Sequence, residues 1–126
     1  HTRDRRQRQM CIRDRAYNTI CASNATRAIV FNGRDSNNNS TNIIQFITIA
    51  TTGNSVDFGN VTSGYNQMGG SSQTRAVIAS GVGDPGSSQN VIEFVEIATT
   101  GDATDFGDCT ARDENLGACS NGHGGL

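Results

Sequence analysis

NIIQFITIATTGNSVDFGN, residues 42–60, returns as NVIEFVEIATTGDATDFGD, residues 90–108, at an offset of 48 residues. Thr26-Arg27-Ala28 returns as Thr74-Arg75-Ala76 at the same offset, and Tyr17-Asn18 as Tyr65-Asn66. ATTG and DFG recurring in register is the signature of a repeat architecture, in which one supersecondary unit is stacked on copies of itself. The units are written as 27–74 and 75–122, with 16–26 as the end of a preceding repeat and 123–126 as a C-terminal tail.

Each unit reads as short strands between turn residues. Ala28 to Phe31 and Ala76 to Ala79 are β-prone and end at Asn32-Gly33 and Ser80-Gly81, where Gly33 and Gly81 permit positive φ. A polar loop follows, DSNNNST at 35–41 in one unit and VGDPGSSQ at 82–89 in the other. The next strand is the strongest. Apolar residues at 43, 46, 47 and 49 also fit a helical stripe, but β-branched content and the Thr51-Thr52-Gly53 stop favour a strand. In the second copy Ile92 and Phe94 point one way, and Val91, Val95 and Ile97 the other, so both faces are apolar and each needs cover. Gly53 and Gly101 turn the chain into a third strand around Val56 and Phe58, or Thr104 and Phe106, and a weaker fourth falls around Tyr65 to Met68.

Composition agrees with a turn-rich β protein that has a thin core. Hydrophobic residues make up 34% of 126, with no Trp and 15 Gly. A thin four-stranded sheet of this kind cannot bury both faces alone. Face-to-face stacking is expected, with Phe46 and Phe94, then Phe58 and Phe106, filling equivalent spaces between units. Stability of a piece holding little more than two units is expected to be marginal.

The N-terminus is foreign to this pattern. Six of the ten basic residues lie in the first fifteen positions, and Arg5 to Arg15, RRQRQMCIRDR, matches the one-frame translation of a common transposase-based sequencing adapter. Residues 1–15 are therefore read as an assembly artefact and set aside, and the natural protein is expected to extend upstream. Four arginines then face ten acidic residues, a balance of −6 with no Lys. Nucleic acid and anionic membrane are poor partners for such a surface. No apolar run reaches the roughly 18 residues of a membrane helix.

Each unit resembles a Kelch motif: a hydrophobic strand ending in a small-residue pair, a gap, a second strand, a turn, then an aromatic. The Gly-Gly doublet of that motif maps onto Asn32-Gly33 and Ser80-Gly81, its tyrosine near Phe46 and Phe94, and its tryptophan near Phe58 and Phe106. Residues 16–126 are also similar to Kelch-like repeat proteins of marine bacteriophages, including the ending Cys119-Ser120-Asn121-Gly122-His123-Gly124-Gly125. The resemblance implies about two blades of a β-propeller, an all-β fold, and placement in a virion or its tail. The alternative architecture is a β-solenoid or fibre segment. In that fold 43–49 would stack in parallel on 91–97, whereas a propeller pairs 28–31 with 43–49 antiparallel.

Candidate chemistry is sparse. Asp102, Asp105 and Asp108 form an oxygen-rich turn that could hold Ca²⁺. Asn54, Asp57 and Asn60 stand at the same places in the first unit, and Asn–Asp interchange favours Asx turns. Cys21, Cys109 and Cys119 have no metal-ligand spacing and are read as thiols, Cys21 and Cys119 as small buried residues at a blade edge, with a Cys109–Cys119 disulfide as the alternative. Cys119 with His123, the only histidine outside 1–15, lacks an orienting group for nucleophilic catalysis. Some Kelch propellers carry copper oxidase sites, but one histidine does not supply their ligands. Arg27 and Arg75 are read as repeated structural contacts, an ion pair with Asp57 and Asp105 or a hydrogen bond to a neighbouring blade, ahead of a ligand-facing ring. No catalytic residue, metal or cofactor is expected. The expected role is structural or receptor-recognising, with further blades or a second copy as partner. Host-surface glycans and other virion proteins are the remaining candidates, and a lectin-like propeller or a piece of a propeller enzyme is the alternative.

Overall fold

The computed structural model describes residues 19–31, 33–62, 67–83, 86–112 and 117–120. The adapter-like stretch, Tyr17, Asn32, Tyr65 and the segment with His123 lie outside the described residues. All described regular structure is β, and both main sheets are antiparallel. The first contains β1 (Ile20–Ser23), β2 (Arg27–Phe31), β3 (Ile43–Thr48) and β4 (Val56–Asn60), in that order across the sheet. The second contains β5 (Met68–Ser71), β6 (Arg75–Ala79), β9 (Val91–Glu96) and β10 (Thr104–Asp108), again in chain order. Between β6 and β9 lies a small hairpin of β7 (Val82–Gly83) and β8 (Ser87–Ser88).

Corresponding strands begin 48 residues apart, so the sequence repeat is a structural repeat of four-stranded meanders. Ala28 pairs with Ile47 and Ala76 with Val95, both antiparallel. β3 and β9 belong to different sheets. The parallel coil-on-coil stacking of a solenoid is therefore not the arrangement adopted.

The sheets are cut in a different phase from the units as written. β1 lies before residue 27 yet pairs with β2, and β5, placed at the end of the first unit, pairs with β6. The cause is a tight hairpin whose polar residue organises its own turn. Asn24 Oδ1 accepts the Thr26 and Arg27 N–H groups at 2.9 Å each. Ser72 Oγ does the same for Thr74 at 3.3 Å and Arg75 at 3.1 Å. Such Asx and ST turns close two strands over two residues, which makes the local pairing the favoured one. The fourth strand of the unit is thus the first of the next sheet, at Met68–Ser71.

Positive φ occurs at Gly81, as expected, and at two further glycines that repeat. Gly81 has φ +111°, and Ser80 beside it also has positive φ, 57°. Gly53 and Gly101 do not. The repeated positive values belong to Gly59 (φ +152°) and Gly107 (φ +147°) of the two DFG segments. Both sit at register shifts, opposite Ile44–Gln45 and Glu93–Ile92. DFG recurs because it builds a β-bulge whose second residue must tolerate a backbone that side chains disfavour.

The two sheets stack face to face around a single apolar cluster that includes Ile29, Phe31, Ile44, Phe58, Val95 and Ile97. Burial reveals which faces meet. Into this cluster β2 sends Ile29 and Phe31, whereas β6 sends Ala76 and Ile78, counterparts of Ala28 and Val30. Successive side chains on a strand point to opposite faces. The first sheet therefore contributes one face to the contact, and the second contributes the opposite face.

The polar loop at 35–41 is closed by its own acid. Asp35 Oδ1 accepts the Asn37 and Asn39 N–H groups at 2.9 Å each. The hydrogen bond from the Asn39 backbone N–H is the main reason that the Asp35 carboxyl is held below its usual range. With the folded value depressed, the loop contribution is complete above the unfolded Asp value of about 3.9 and is lost as pH falls through the lower folded one. Acidification should loosen residues 35–41 while both sheets persist, visible as amide shifts of Asn37 and Asn39. Asp35→Asn should move that step out of the titration.

Candidate functional site

The most developed feature is the contact between sheets, and it uses the residues that the repeat preserves. At the β4 edge, the ATTG loop of the second unit fastens onto the DFG strand of the first. Gly101 N–H donates to the Phe58 carbonyl at 2.7 Å and Ala103 N–H to the Asn60 carbonyl at 2.8 Å. Asp102 Oδ1 accepts from Asn60 N–H at 2.9 Å and from its side-chain amide at 3.3 Å. A Cβ added to Gly59 would lie 2.2 Å from the Gly101 oxygen, so the two backbones touch through a glycine.

At the opposite edge, β1 lies against β5. Ser71 Oγ donates to the Ser23 carbonyl at 2.8 Å and accepts the Ser23 N–H at 3.3 Å. The same device is used once more. Ser120 Oγ donates to the Ser71 carbonyl at 2.6 Å and accepts the Ser71 N–H at 3.3 Å. Residues 117–120 thus stand against β5 as β5 stands against β1.

Between these edges, Arg27 donates from Nη1 to the Ile97 carbonyl of the second sheet at 2.9 Å. Its guanidinium also lies 4.5 Å from the centroid of Phe46. Phe46 and Phe58 meet edge to face at 5.8 Å. The second unit repeats this Arg–Phe–Phe stack, with Arg75 4.5 Å over Phe94 and Phe94 6.0 Å from Phe106. Arg27 is thus a hydrogen bond to the neighbouring sheet, with Ile97 as acceptor in place of Asp57. Arg75 pairs with Glu96 at 2.6 Å across an exposed rim, in place of Asp105.

The equivalent phenylalanines occupy unlike surroundings. Phe58 is 3% exposed and Phe106 58%. The opposite faces show the inverse: Ile97 and Val95 are 0% and 3% exposed, but their counterparts Ile49 and Ile47 are 53% and 41%. Each sheet has one covered face and one open face. A groove of about 490 Å³ runs over the open face of the second sheet, between Val77, Phe106 and the 117–120 segment.

Other expectations are redistributed. Asp102 serves the contact between units, and Asp105 accepts the Gly107 N–H at 3.1 Å as an Asx turn within the bulge. Among the described residues no three His, Cys, Asp or Glu side chains cluster closely enough to hold a metal ion. Cys21, Cys109 and Cys119 are free thiols. Cys21 and Cys119 are exposed, a correction to their reading as buried, because the edge of β1 and the 117–120 segment face an open groove. Cys109 takes the place of buried Val61: both N–H groups close the turn onto the carbonyl 19 residues earlier, Asn90 at 2.6 Å and Asn42 at 2.8 Å.

A buried carboxylate that the sequence does not single out lies in the contact. Glu93 is 3% exposed on the covered face of β9, where both carboxylate oxygens accept the Thr62 N–H at 3.1–3.2 Å. The only available signal was its alternation with Val91 and Val95 on one side of the strand. Compared with known proteins, the chain matches no protein-family model and no curated protein.

Proposed function

We propose that this chain is a non-enzymatic stacking module, about two blades of a Kelch-like β-propeller, with a structural or receptor-recognition role. The observation that carries the reading is the sharing of labour in the repeat. ATTG, DFG, the paired phenylalanines and Arg27 are spent on joining one unit to the next, not on a pocket for a reacting group. Repeat proteins built this way gain stability from nearest-neighbour interfaces and recognise partners through the segments that differ between units.

Here the differing segments are the loops at 35–41 and 82–89, which connect equivalent strands. Placement in a virion or tail, and host glycans or virion proteins as partners, follow from the resemblance to phage repeat proteins.

The test is a single polypeptide in which residues 20–116 occur twice, so that the natural connector joins four units. A new interface of a few kcal/mol should raise Tm by on the order of 10 °C. The same protein is then suited to glycan-array binding. An unchanged Tm would remove the stacking reading.

A further inference from the structure

The two open faces of the pair complement each other in the way its two covered faces do. On the first sheet, Ile47 and Ile49 are exposed where Val95 and Ile97 are covered. On the second, Phe106 is exposed and Ile92 half-buried, where Phe58 and Ile44 are covered. We infer that copies of this chain stack head to tail, the open face of the second sheet receiving the open face of the first sheet of another copy. The inference rests on the stacking reading and names the occupant.

The internal contact specifies the external one residue by residue. Gly53 N–H of the incoming copy would reach the Phe106 carbonyl as Gly101 N–H reaches that of Phe58. Arg75 would turn from Glu96 to the incoming Ile49 carbonyl, as Arg27 meets that of Ile97. The space is ready: a Cβ on Gly107, or on Gly53, would meet nothing within 4 Å, whereas the Cβ of Gly59 would strike Gly101. Gln45 stands in the place of Glu93, so the new contact buries no carboxylate from that position, which removes a desolvation cost. The incoming Ser23 hydroxyl would take the Ser71 backbone groups now held by Ser120, displacing the 117–120 segment. Because two different surfaces meet, the contact does not limit itself to a dimer. It closes as a ring or continues as a filament according to the rotation between copies.

Sedimentation velocity over a concentration series tests this with two variants, Ile49→Glu and Phe106→Glu. Each places a charge on one open face, at a side chain more than half exposed, so the far-UV circular dichroism should remain that of the parent. The parent protein should gain mass with concentration. Each variant alone should associate at least about tenfold more weakly, since a carboxylate would have to be desolvated in the contact. Their equimolar mixture should form a one-to-one dimer that grows no further, because each variant keeps the face the other has lost. A parent monomeric at every concentration, a variant that dimerises alone, or a mixture that stays monomeric would overturn the inference. If the four-unit polypeptide gains stability while the parent stays monomeric, self-association falls and the stacking reading stands. If neither changes, both fall.

Discussion

Phe58→Ala should cost about 3–5 kcal/mol, enough to unfold much of a marginal two-unit protein, while Phe106→Ala should cost about 1 kcal/mol or less. The comparison is unusually clean. The two residues occupy the same place in the repeat and meet their partner phenylalanines in the same edge-to-face arrangement, at 5.8 and 6.0 Å. What separates them is cover, 3% exposed against 58%. Removing Phe58 takes the loss of apolar transfer together with a cavity between two sheets, whereas Phe106 forfeits chiefly its contact with Phe94. Urea unfolding followed by circular dichroism gives both values from the midpoints, with the slope checking that each variant still unfolds in one step. If the midpoints fall together, the sheets are not joined through the face that carries Phe58.

That pair of residues also marks the limit of what the chain discloses before it is folded. The repeat, the strands and the apolar character of both faces are legible because period-two alternation and a fixed offset are local signals. Phe46 and Phe58 are found in the contact between the sheets, and Phe94 and Phe106 are identifiable as their repeat counterparts. Which of them is covered is not identifiable, because equivalent residues look alike and only their order along the stack distinguishes them. Asp102 illustrates a second limit. Its own neighbourhood resembles a cation loop or an Asx turn, and its partner, Asn60, lies 42 residues away. The Ser23–Ser71–Ser120 series is similarly hidden, since small hydroxyl residues are common in turns and their spacing here changes from 48 to 49. The phase of the sheets is hidden for a local reason: the repeat offset does not say where one sheet ends, and Asn24 and Ser72 mark the hairpins only through the backbone N–H groups they accept.

Gly59→Ala and Gly107→Ala separate the two reasons for which the DFG glycine recurs. Both positions have positive φ, so each substitution carries a backbone strain of about 1–2 kcal/mol. Only at Gly59 does the added methyl also meet another unit, 2.2 Å from the Gly101 oxygen and 2.8 Å from the Asp102 nitrogen. These are backbone atoms, and they cannot swing aside as a side-chain tip would. Relief requires the ATTG loop to lift, which gives up the bonds from Gly101 and Ala103 to β4 and from Asn60 to Asp102. Gly59→Ala should therefore be less stable than Gly107→Ala by about 2–3 kcal/mol, one net hydrogen bond being worth about 1 kcal/mol. Hydrogen exchange locates the difference: the Gly101 and Ala103 amides should lose protection in Gly59→Ala and keep it in Gly107→Ala. Equal stabilities with equal protection would mean that the glycine serves only the bulge, and that the sheets are held together by their apolar faces without help from the loop.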